Sequence, residues 1–104
     1  MIGPQNKKTI SMIEILEIRL ARNLNELLEK EIEQIMSDVK MESAGITIKL
    51  FQKSNLNSDY LIIIMTSSGM NEKQCTELGQ RIKAALSEYG LINHTKWNEI
   101  DQVK

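Results

Sequence analysis

A single cysteine, Cys75, leaves no partner for an internal disulfide and no cysteine spacing for a metal centre, a usage compatible with a reducing compartment. Histidine is as scarce. His94 stands alone, without a second imidazole or a paired-carboxylate spacing that would make it a base or a ligand. Neither sign of charge dominates: 13 Lys and Arg against 14 Asp and Glu give −1, no electrostatic footprint for nucleic acid or an anionic membrane surface. A long apolar run is missing too, because Glu14, Glu17 and Arg19 interrupt the most hydrophobic N-terminal stretch, residues 10–20, which therefore suits neither a signal sequence nor a membrane span. These absences lead to the expectation of a soluble, cytoplasmic protein with no cofactor and no metal, for which a non-enzymatic role is favoured. The only proline, Pro4, falls in residues 1–9, which lack apolar periodicity and are expected to be a mobile leader. Residues 10–104 are expected to form a single α+β domain, since 104 residues at 41% hydrophobic content suffice for one modest core.

The most informative stretch is residues 60–66, Tyr-Leu-Ile-Ile-Ile-Met-Thr, whose apolar residues run consecutively instead of alternating. A strand of that kind is apolar on both faces and must be covered on both. Ahead of it, Leu24, Leu27, Leu28, Ile32, Ile35, Met36 and Val39 recur at three- and four-residue spacing and predict an amphipathic helix. Whether that helix reaches back to Ser11 is the open point. Ser11 with Glu14 makes a capping box and Ile10 with Ile15 a hydrophobic staple, but extending the stripe backward sets Glu14 and Glu17 near its centre. As a strand, residues 15–20 alternate cleanly, with Leu16, Ile18 and Leu20 on one side. A helix over residues 12–39 would also be ~42 Å long, against a radius of gyration of roughly 13 Å for a domain of this size. The strand reading is therefore favoured, with Asn23 and Glu26 as the capping pair of the helix that follows.

Beyond the helix, Gly45 reads as a turn or cap, and Ile46, Ile48 and Leu50 alternate with Thr47, Lys49 and Phe51 in a half-buried strand over residues 46–53. Residues 54–58 have hairpin-loop length and composition. Asn71 with Gln74 predicts a second helix cap, with Met70 and Cys75 as its staple, and Leu78, Ile82, Ala85, Leu86 and Tyr89 predict the buried stripe. Gly79, beside that stripe, would let the helix lie close to the sheet. Gly90 is placed as its C′ residue. A polar last strand is expected over residues 91–100.

The order βαββαβ predicts a ferredoxin-like two-layer sandwich with an antiparallel sheet, the first and third strands central and the lysine-bearing second and fourth at the edges. The alternative is αββαβ, with a long N-terminal helix and a three-stranded sheet. Both helices of the sandwich cover one face. The other carries either Tyr60, Ile62 and Ile64 or Leu61, Ile63 and Met65, and the candidate interface is set as Tyr60, Ile62, Ile64, Phe51 and Trp97, with homodimerisation through that open face. His94 and Trp97 are named as residues lining a site for a small hydrophobic ligand.

The bland reading is preferred for other features: His94 as a solvated strand residue, Cys75 as a small buried hydrophobe, residues 66–71 as a plain turn and cap, and the acidic residues of the first helix as a solvated face. RNA-recognition modules share the element order, but their aromatic base-stacking sequence is absent here, and metallochaperones share it with a C-x-x-C that this chain lacks. In element order and an apolar open face the chain resembles the dimeric α/β-barrel group, which includes the antibiotic-biosynthesis-monooxygenase-like proteins, without a diagnostic motif. That resemblance implies two sheets facing each other around a small apolar cavity. Three readings follow: a homo-oligomer acting through protein–protein contacts, a dimeric barrel binding or oxidising a small hydrophobic molecule, and an αββαβ subunit of a larger assembly.

Overall fold

The computed structural model describes residues 12–42, 45–66 and 72–100, with the side chains of 41, 42 and 72 left aside. The leader expected over residues 1–9 and the proposed partners Ser11, Met70 and Asn71 lie outside them. Six elements follow in the order βαββαβ: β1 (Met12–Leu20), α1 (Asn25–Glu42), β2 (Ile46–Gln52), β3 (Asp59–Thr66), α2 (Glu72–Leu86) and β4 (Gly90–Asn98). The sheet runs β2-β3-β1-β4 and all three pairings are antiparallel. This is the ferredoxin-like sandwich, and β1 replaces the N-terminal helix of the alternative.

The N-terminal segment is a strand because only a two-residue period sorts its side chains. Met12, Glu14, Leu16, Ile18 and Leu20 are buried, while Ile13 and Ile15 are half-buried and Glu17 and Arg19 exposed. Leu24, not Asn23, caps α1: its carbonyl accepts the Leu28 amide at 2.9 Å, the first helical bond. Asn25 is used otherwise, its amide donating to the Asn57 carbonyl (2.7 Å) and to the Tyr60 hydroxyl (2.8 Å), which ties the helix start to the β2–β3 hairpin. Gly45 precedes β2 with φ of 90°, a conformation that only glycine takes without steric cost.

Helix α1 packs toward β2, and α2 lies across β1, β3 and β4. Between helices and sheet sits the core, built on Leu16, Ile18, Leu28, Ile32, Ile62, Ile64, Ile82 and Leu86. Two residues assigned to the helical stripes fall outside it: Leu27, 55% exposed, and Ala85, also exposed. Each stands ~100° round the helix from a buried leucine, Leu28 or Leu86. Gly90 opens β4 instead of ending α2; the Tyr89 amide donates to the Leu86 carbonyl and closes the intervening turn.

Candidate functional site

The phase of β3 decides what the open face contains. Tyr60, Ile62 and Ile64 are 4%, 0% and 0% exposed beneath the helices, so these three candidate interface residues belong to the core. Leu61, Ile63 and Met65 take the open face. The reason is register: Ile62 and Tyr60 lie opposite the inward Leu16 and Ile18 of β1, whereas Leu61 lies opposite the outward Glu17. Phe51 pairs with Leu61 and Trp97 with Ile13, which puts both aromatics on the open face, 47% and 57% exposed. Ile13, Ile15, Leu61, Ile63 and Met65 form the apolar middle of that face, all half-buried.

At one end of the open face lies a groove of about 570 Å³, lined in part by Glu17, Arg19, Phe51, Lys53, Asp59, Leu61, Leu91 and Asn93. The Arg19 guanidinium crosses it, donating to Asp59 from Nε to Oδ1 (3.2 Å) and from Nη2 to Oδ2 (3.1 Å). Hydrogen bonding to Arg19 holds the Asp59 carboxyl below its ordinary range. Asn93 donates to Glu17 Oε1 at 3.3 Å on the β4 side of the groove.

His94 points the other way, since adjacent residues of a strand face opposite sides. Its side chain is 12% exposed and its Nε2 lies 2.6 Å from Glu14 Oε1, with the Glu14 side chain fully buried. His94 is therefore no solvated strand residue, and it shares no cavity with Trp97. One proton must lie between two such atoms at this distance. Glu14 Oε2 is buried and has no partner among the described residues. Over the pair lies Gly79 of α2: a Cβ built there would stand 2.2 Å from Glu14 Oε1 and 2.9 Å from His94 Nε2. The missing side chain is the space that the pair occupies. Cys75, one helical turn earlier, is also fully buried.

A second polar cluster joins α1 to the sheet. The Tyr60 hydroxyl donates to Glu29 Oε2 at 2.5 Å and accepts from the amides of Asn25 (2.8 Å) and Gln52 (3.2 Å). Burial, reinforced by the Glu29 carboxylate, raises the phenol above its ordinary pKa of 10.0, with the Asn25 bond opposing. Glu14 as the partner of His94 was missed from the sequence because 80 residues separate them; a glutamate at an inward position of an alternating strand was the available signal. Among the described residues, no three His, Cys, Asp or Glu side chains are grouped to hold a metal, and no helix is long and apolar enough to cross a membrane.

No protein-family model matches the chain, and no curated protein is significantly similar to it in sequence. Solved structures do resemble it. A proposed antibiotic biosynthesis monooxygenase from Nitrosomonas europaea superposes with a TM-score of 0.69 at 5% identity, covering 96% of this chain and 100% of that one. SnoaB, a cofactor-independent oxygenase from Streptomyces nogalater whose structure is that of a point mutant, gives 0.67 at 10% identity over 89% and 95%. A dimeric ferredoxin-like protein from an uncultured marine organism gives 0.65 at 16% identity over 93% of each chain. At such identities the likeness establishes one thing, that this chain has the ferredoxin-like α+β fold of these proteins.

Proposed function

We propose that the chain works as a homodimer, with the open sheet faces of two copies packed against each other and protein–protein contact as its primary role. The observation that carries this is the row Ile13, Ile15, Leu61, Ile63 and Met65 in the middle of a sheet face that nothing among the described residues covers. A sheet face in contact with water is ordinarily polar. The row is already half-buried within the chain, and at roughly 25 cal/mol per Å² of apolar surface its remaining exposure amounts to a few kcal/mol that a second copy would recover. Description of a neighbour of the same fold as dimeric supports the reading.

A second reading, a dimeric barrel that binds or oxidises a small hydrophobic molecule, is favoured by the groove of about 570 Å³ on the open face, where Phe51, Leu61 and Leu91 turn apolar surface toward the space between two facing sheets. That the similar SnoaB is a cofactor-independent oxygenase agrees with chemistry done by side chains alone. Native mass spectrometry separates the readings. A dimer with no added mass supports the first, and a dimer retaining an organic molecule supports the second. A monomer at micromolar concentration contradicts both.

A further inference from the structure

The open face carries a knob at one end and a hole at the other. Trp97, more than half exposed, projects beside Ile13. The groove lies around Arg19 and Leu91, which are paired with each other six residues farther along β1. At about 3.3 Å per residue the separation is roughly 20 Å. Resting on the homodimer reading above, we infer that Trp97 of each copy seats in the groove of the other, in a two-fold dimer whose axis crosses the strands at the level of Leu16 and Ile62.

Only one orientation of the axis achieves this. A two-fold axis lying between the faces and across the strands exchanges strand ends while keeping β4 over β4. Trp97 then lands on the Leu91 and Asn93 side of the opposite groove. Knob-to-hole and hole-to-knob contacts arise together, as an isologous interface requires. An axis along the strands would instead set Trp97 over β2 at the end bearing Thr47, and both grooves would stay empty. The midpoint between knob and hole falls at the level of Leu16 and Ile62, between Ile15 and Glu17 on β1 and between Ile63 and Leu61 on β3, so the same operation brings Ile63 against Leu61 of the other copy near the centre.

The groove suits a neutral aromatic ring. Arg19 and Lys53 are balanced by Glu17 and Asp59, so a charged guest gains nothing from it overall. The Arg19 guanidinium is held by Asp59 through two bonds and offers a planar cation on which an indole stacks. Trp97 brings no unpaired donor, because its Nε1–H already donates to Thr95 Oγ1 at 2.8 Å within its own strand. Size is adequate too. Four strands ~4.8 Å apart and about eight residues long project roughly 500 Å², so two faces bring together about 1,000 Å² before side-chain relief, the threshold of a specific interface.

Trp97 is the only tryptophan, so the emission of the unmodified chain reports its surroundings directly. The experiment follows emission maximum and iodide quenching across a dilution series, alongside sedimentation equilibrium on the same samples. The expected result is a blue-shifted, quench-protected indole in the dimer that turns solvent-exposed on dissociation. Trp97→Ala should raise the dissociation constant about 30-fold or more, as truncation of an interface anchor does, and Trp97→Phe should keep most of the affinity. A dimer whose tryptophan stays red-shifted and fully quenched overturns the seating and leaves the dimer standing; a monomer throughout overturns both. Protection that appears only with a co-purified small molecule, and not with dimer, also overturns it, since the groove then belongs to a ligand.

Discussion

Gly79→Ala is the sharpest test of the buried pair, because it adds one methyl group where two polar atoms already stand. The helix itself would welcome the change: alanine is favoured over glycine in a helix interior by about 1 kcal/mol. Against that, the new Cβ would stand 2.2 Å from Glu14 Oε1 and 2.9 Å from His94 Nε2. The tip of a glutamate can ordinarily swing aside, but Glu14 is fully buried and anchored by its 2.6 Å bond to His94, so moving it means breaking that bond or lifting α2. Overpacking costs about 1–3 kcal/mol, and losing a hydrogen bond to a charged group about 1.5–3 kcal/mol. By either route, subtracting the helical gain leaves a net loss centred near ~1 kcal/mol, which for a domain of this size lowers Tm by about 4–8 °C. Thermal and urea unfolding of the single variant, of Glu14→Ala, and of the double variant measure it as a cycle. In the Glu14→Ala background Gly79→Ala should become stabilising by up to about 1 kcal/mol. If Gly79→Ala alone is as stable as the parent chain or more so, the steric account of Gly79 is wrong.

Three further outcomes follow from the same geometry. His94→Ala should cost about 3–5 kcal/mol in urea unfolding, because a buried carboxylate is left with no partner, and Glu14→Leu in that background should restore much of the loss. Ile62→Lys and Ile63→Lys, adjacent on β3, should behave oppositely: the first unfolds the chain by far-UV circular dichroism, since Ile62 is fully buried, while the second leaves it folded and alters only its association. For Tyr60 the phenol is raised above 10.0, so the neutral form is favoured by the fold; the stability this gives is whole below pH 10 and is lost as pH rises through the raised value. Thermal melts at increasing alkaline pH should show that decline and should show less of it in Tyr60→Phe.

Much of this architecture is legible from periodicity. Leu16, Ile18 and Leu20 favoured a strand, although the Ser11–Glu14 capping box kept a long helix open, while Ile46, Ile48 and Leu50 alternated as a strand and the three- and four-residue spacing in residues 24–39 sorted as a helix. The element order then followed, and with it the central places of β1 and β3. What periodicity could not supply was the phase of β3. Both of its side-chain sets are apolar, so the choice between Ile62 and Ile63 depends on register against β1 and β2, a relation between segments and not a property of one. Glu14 was obscured for a related reason: beside Ser11 it looked like a capping residue, and only the β1–β4 pairing, which aligns Leu16 with His94, brings the carboxylate to the imidazole. Gly79 was read correctly as a point of close approach, though what approaches is a polar pair and not the bare sheet. Leu27 and Ala85 were drawn into stripes wider than the sheet can cover.

The central claim is that a second copy covers the open face, and sedimentation equilibrium of the parent chain and of Ile63→Lys at micromolar concentration tests it most directly. The account predicts twice the 11.9 kDa chain mass for the parent and the single-chain mass for a folded Ile63→Lys. A parent chain that sediments as a monomer, or an Ile63→Lys variant that dimerises as tightly as the parent, would contradict it.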